Sequence, residues 1–234
     1  MLLFFTGARI VCLGRTLKTL EEGHSVLMYE AFQRFSGEFP PGTDKNLIIL
    51  GNQRTDLPRY RPDGTIGLWG LADALFRAQL LPKYHHGMRQ AWNHPTRNLP
   101  KVQQALYQRL LKAITTSNPA LACERFGQAL HTLQDTYTIG HTERENNADP
   151  FSPMMRLHYS PSQAHPFISP KDTVWADIQK NRLTPEAEAA ILATLAAFDL
   201  WCKHWPASRE EAQPEMTAFV QRYTPIRGQV FSPQ

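Results

Sequence analysis

The sequence predicts an all-α fold. Three observations lead there. Apolar residues recur at helical spacing through several long segments, those segments open on helix-starting residues, and no set of alternating strands accompanies them. The 234 residues suffice for a sizeable core, and we expect one domain spanning 1–234. Hydrophobic residues make up 42% and charged residues 20%, the balance of an ordinary globular chain rather than a disordered one. The net charge of +4 suits an anionic substrate, but no Lys/Arg run marks a dedicated nucleic-acid track. The three cysteines lie far apart without a CxxC, so buried thiols are expected rather than a disulfide framework.

Taken in order, MLLFFTGARIVCLG is apolar but short. It lacks the basic opening of a secretory signal and the length of a bilayer span, so it is expected to pack as an N-terminal segment, with a degenerate export signal as the alternative. Leu17 to Phe35 is amphipathic, with Leu17, Leu20, His24, Leu27, Met28, Ala31, Phe32 and Phe35 on one face. Gly23 inside it costs roughly 1 kcal/mol against Ala and is the alternative start of that helix, which would put His24 in the first turn. Phe39 to Thr65 is rich in turn chemistry and holds Asp56; Leu47 to Leu50 within it reads as helix or strand. Gly67 to Leu81 reads as a helix stopped by Pro82, followed by KYHHGMRQAWNHP with its adjacent histidines.

Asn98 to Thr115 is periodic and runs by a short turn into a second helix, an αα-hairpin pattern. That second helix is expected over Pro119 to Thr138, with Asn118 as its cap and Pro119 in its first turn. Asn146 to Lys171 is loop-rich, with prolines that forbid a long helix. Thr184 to Trp205 is a strong helix whose Phe198, Trp201 and Trp205 are expected in the core. A last helix runs from Ser208 to Tyr223, and the remainder reads as a tail.

The stretch ALHTLQDTYTIGHTER concentrates the chemistry. His131 and Asp135 are four apart, hence one turn apart on one helix face, and His141 follows a Gly that lets the chain turn back. Imidazole nitrogen and carboxylate oxygen on one spot suit a zinc-type cation. A single His–Asp pair at this spacing is also a common surface hydrogen bond, so further ligands must come from elsewhere.

Such residues exist along the chain: His24, Asp56, His86, His131, Asp135, His141, His165 and Asp172. In this order they resemble the zinc-dependent phospholipase C and single-strand nuclease superfamily. The likeness is best in H-x-x-x-D followed six residues later by His. It extends to a His opening a helix (GHSVLMYEAF), an Asp in a turn (LGNQRTDLP) and a His ahead of Met-Arg (HHGMR). The resemblance implies a helical fold around two or three Zn2+ ions. Asp135 would bridge two of them; Asp56, His86 and His131 would complete the first site, His141, His165 and Asp172 the second, and His24 would serve the third. It also implies metal-assisted hydrolysis of a phosphodiester, with Asp56 and Asp135 at the reacting centre and Asp56 able to orient the attacking water.

The chain departs from the family pattern in places. The family's third site uses an N-terminal Trp, whereas this chain opens on Met1, and Glu22 is the nearest substitute. His165 and Asp172 are seven apart instead of one helical turn, with His158 as the alternate ligand, and His85 competes with His86. Arg89 and Arg144, near the ligands, could steady phosphate charge.

The expected substrate is a phospholipid, with peripheral membrane contact, an apolar rim from Phe151, Met154 and Met155, and no transmembrane segment. The resemblance further suggests a secreted or translocated bacterial effector. The alternatives are a single-strand nuclease using the same metals and a non-catalytic helical binding module with incidental histidines.

Overall fold

The computed structural model describes residues 4–6, 9–12, 15–17, 23–55, 86–87, 94–138, 140–158, 176–177 and 182–234. Among them are six helices: α1 (Gly23–Arg34), α2 (Lys45–Arg54), α3 (Leu99–Ile114), α4 (Pro119–Asp135), α5 (Pro185–His204) and α6 (Arg209–Tyr223). The chain is mostly helical, and no described helix is long and apolar enough to cross a membrane.

Local chemistry starts these helices where the sequence indicates. The Asn118 side chain accepts from Leu121 N at 3.0 Å, Thr184 caps α5 through Ala187 N, and Ser208 and Glu211 form a reciprocal capping box on α6. Asp44 accepts from Asn46 N and Leu47 N, which resolves Leu47 to Leu50 as helix. α1 begins at Gly23, not at Leu17. Arg15–Leu17 is instead β3, paired antiparallel with β2 (Arg9–Cys12), itself paired with β1 (Phe4–Thr6).

Two further hairpins join β4 (Thr142–Arg144) to β5 (Met154–Leu157) and β6 (Ala176–Asp177) to β7 (Arg182–Leu183). The expectation of no strands is corrected to this extent. Runs of two to four residues are too short to display the alternation by which a strand is read. The proposed helix over Gly67 to Leu81 lies outside the described residues.

One hydrophobic cluster draws on all six helices. Trp201 stacks on Trp205 (centroids 4.9 Å apart) and on Phe126 (4.5 Å), and Phe198 is fully buried, so these aromatics are core. A smaller cluster joins Leu99, Val102, Met154, Leu157 and Ile226. Met154 is therefore core and not a rim for lipid. Phe151 is exposed, with the Arg222 guanidinium 4.5 Å from its ring. The C-terminal stretch is no free tail: Ile226 and Phe231 are buried, and the carbonyl oxygen of Gln234 accepts from Gln104 and Gln108 at 3.0 Å each.

Helices α2 and α4 approach each other closely. A Cβ on Gly51 would sit 2.0 Å from Glu124 O, and one on Gly127 would sit 2.0 Å from Ile48 O. The two helices thus meet backbone to backbone, and only a residue without a side chain fits either position. Gly127→Ala and Gly51→Ala should each lower stability in urea unfolding by about 1–3 kcal/mol or more, from forced separation of the helices. Wild-type stability in both would contradict the crossing.

Candidate metal centre

The final turn of α4 carries the centre. Its last bonds tighten to the three-residue type, from Thr136 N to Leu133 O, Tyr137 N to Gln134 O and Thr138 N to Asp135 O. The helix therefore stops at Asp135, short of the expected Thr138, and His141 is brought back after one further turn by its N–H to Thr138 O at 2.8 Å. His131 and Asp135, one helical turn apart, are both fully buried.

Four imidazoles surround the Asp135 carboxylate. On Oδ1 stand His24 Nε2 at 3.1 Å and His141 Nδ1 at 3.0 Å. On Oδ2 stand His131 Nε2 at 2.9 Å and His86 Nδ1 at 3.3 Å. The rings of His24 and His131 lie 4.1 Å apart by centroid, and His86 Nδ1 is 3.1 Å from His131 Nε2. Residues from α1, α4, the His86–Gly87 segment and the start of the β4 hairpin thus converge on one carboxylate. His24, His131 and Asp135 form a buried group able to hold a metal ion. The donor set fits: neutral imidazole and carboxylate are the ligands of zinc-type cations, and each carboxylate oxygen faces its own pair of nitrogens. Burial works to raise the Asp135 carboxyl, but the imidazoles of His131, His141 and His24 outweigh it and hold the carboxyl well below its ordinary range.

Of the residues expected from the sequence, His24, His86, His131, Asp135 and His141 come together; Asp56, His165 and Asp172 lie outside the described residues, as do Glu22, His85 and Arg89. The β4–β5 pairing continues beyond the strands, since His158 N donates to His141 O at 2.7 Å. The His158 ring, however, lies toward Glu143, 3.8 Å from its Oε2, and Arg156 pairs with the same carboxylate.

Arg144 is corrected from phosphate ligand to structural clamp. It is 4% exposed, and it donates from Nε to Thr136 O (2.8 Å), from Nη1 to Ser152 O (2.7 Å) and from Nη2 to Tyr223 O (2.7 Å). Its guanidinium carbon stacks 3.9 Å from the centre of the Tyr137 ring. With a further bond from Nη2 to Thr136 Oγ1 at 3.0 Å, four of its five N–H donors are held by protein, and the buried guanidinium is committed to structure.

Several supporting residues escaped the sequence reading. Gly87 has φ +58, in the left-handed region. A Cβ there would lie 3.1 Å from Asp135 O, and its own carbonyl accepts from Thr142 Oγ1 at 2.8 Å. This packing seats His86 beside the carboxylate, and the signal was a Gly directly after the His pair. Gln134, Asn52 and Thr194 form a buried polar chain behind His24. Its signal was Gln134 itself, an uncharged polar residue four after Leu130 on an apolar face.

Two outcomes test these assignments. Held low in the folded chain, the Asp135 carboxyl stabilises the fold above its unfolded pKa of about 3.9, and that contribution fades as the pH falls toward the folded value. In chelator-treated protein, Asp135→Asn should therefore flatten the acid limb of the urea-stability profile; an unchanged limb contradicts the ion-pair reading. Arg144→Met should cost about 3 kcal/mol in the same assay, because buried carbonyls lose their donors; a neutral result would overturn the clamp.

Compared with known proteins, no family model, no curated protein and no solved structure matches the chain.

Proposed function

We propose that this chain is a metal-dependent phosphodiester hydrolase of the zinc phospholipase C type, acting on phospholipid head groups. The observation that carries the proposal is the buried Asp135 carboxylate with four imidazole nitrogens within 3.3 Å, divided two and two between its oxygens. That division supports a shared role for Asp135, in which His131, His86 and the carboxylate would hold one Zn2+ ion, and His24, His141 and the same carboxylate would hold a second. His24 would then share the second position with His141 instead of serving a third site alone. Divalent ions bound there would supply Lewis acidity toward a phosphoryl oxygen and lower the pKa of a bound water toward about 7.

The protein's own part is positioning. Asp135 fixes the spacing of the two imidazole pairs, Gly87 seats His86, and α4 supplies His131 and Asp135 on one rigid turn. By the resemblance, Asp56 would complete the first ligand set and orient the attacking water, and His165 and Asp172 would complete the second.

The proposal is tested by metal analysis of purified protein before and after chelation, followed by hydrolysis assays on phosphatidylcholine vesicles and on single-stranded DNA. Bound zinc and vesicle hydrolysis are expected, with both lost together in His131→Ala and Asp135→Ala. Cleavage of DNA but not of vesicles would replace the lipid reading by a nuclease. Absence of metal from the wild type would leave a non-catalytic helical module, and full activity in either variant would overturn the assignment of His131 and Asp135 to the reacting centre.

A further inference from the structure

We infer that Gln134 is a positioning residue that decides which nitrogen of His24 faces Asp135. The inference deepens the metal-centre reading and rests on it for its consequence, though not for its geometry. The direction of the buried hydrogen-bond chain is set at its far end. Ala190 O is a helix carbonyl and can only accept, and it takes the Thr194 hydroxyl at 2.8 Å. The Thr194 oxygen is thereby left as acceptor for Gln134 Nε2 at 3.2 Å, and Met28 Sδ, a weak acceptor, lies 3.4 Å from the same nitrogen. The Gln134 amide is thus oriented with Oε1 at the other end. There it accepts from Asn52 Nδ2 at 3.0 Å and from His24 Nδ1 at 2.9 Å. All four polar residues of the chain, His24, Asn52, Gln134 and Thr194, are buried.

The consequence lies on the opposite edge of the His24 ring. With its hydrogen on Nδ1, a neutral His24 turns a bare Nε2 toward Asp135 Oδ1, 3.1 Å away. A bare nitrogen beside a carboxylate oxygen is the arrangement for two ligands of one cation. An ordinary His–Asp hydrogen bond requires the other tautomer, with the hydrogen on Nε2. Gln134 therefore selects the ligand form of His24, as outer groups do for metal-bound histidines.

The test is nitrogen-detected histidine NMR above the histidine titration range, on zinc-loaded and on chelated full-length protein, with zinc titrations alongside. The wild type should carry its His24 hydrogen on Nδ1 in both forms. Gln134→Met should lose that preference and weaken zinc binding about 10- to 100-fold. Gln134→Glu, which keeps an acceptor at the Oε1 position, should restore both, and a merely structural role for Gln134 would not move the tautomer at all. Thr194→Val, close in shape, should weaken the preference if Gln134→Met does not fold. A hydrogen on Nε2 in the chelated wild type, or an Nδ1 hydrogen unaffected by Gln134→Met, overturns the inference. Wild-type protein that shows the Nδ1 hydrogen but binds no zinc would sink the proposed function and leave the positioning role standing.

Discussion

The constraint on which the rest depends is the burial of one carboxylate. Asp135 has no exposed surface, and an ionised carboxylate so placed is costly unless positive or hydrogen-bearing groups meet it on every side. The chain surrounds it with imidazoles drawn from four separate places, α1, the His86–Gly87 segment, the same helix face at His131, and the turn after α4, which meet that demand by donating a hydrogen or by holding a cation jointly with the carboxylate. Each is held by its own local device. His131 needs only the helix repeat, His141 needs the tight turn that ends α4, His86 needs the left-handed glycine behind it, and His24 needs the amide of Gln134. The centre is thus the point where several independent backbone decisions have to agree.

Helix packing makes that agreement attainable. The glycines at positions 51 and 127 bring α2 and α4 to backbone contact, which puts Asn52 within reach of Gln134 two turns along α4 from the crossing. On the other side, α5 offers Thr194, and α1 carries both His24 and Met28 to the same amide. The polar chain behind the centre therefore passes through α1, α2, α4 and α5. A shift of any one helix would leave a buried donor or acceptor unsatisfied, at a cost of about 1–3 kcal/mol. Below the centre, Arg144 and the Tyr137 hydroxyl both bond Tyr223 O, tying the end of α4 and the β4 hairpin to the last turn of α6.

Much of the helical frame was legible because its signals are local. Asn118 with Pro119, Thr184 with Pro185, and Ser208 with Glu211 state their helix starts within four residues. The apolar faces of α3 and α5 repeat often enough to be counted. Strands of two to four residues carry no such count. The packing of the C-terminal stretch onto α3 depends on Gln104 and Gln108, more than a hundred residues away. Arg144 shows the same limit at one residue. Its neighbours in sequence suggest a charged side chain close to ligands, whereas its partners at Thr136, Ser152 and Tyr223 turn it inward.

By itself the sequence determined that this chain is largely helical and that His131, Asp135 and His141 belong to one turn of chain able to face one point, because the helix repeat and a turn after it follow from local backbone geometry. Only the tertiary structure decided that His24 and His86 join them, that each carboxylate oxygen receives its own pair of imidazoles, and that Gln134 stands behind His24. Those relations join residues more than a hundred positions apart. They are set by how closely helices can approach and by which buried polar groups must find partners, and no stretch of sequence states either in advance.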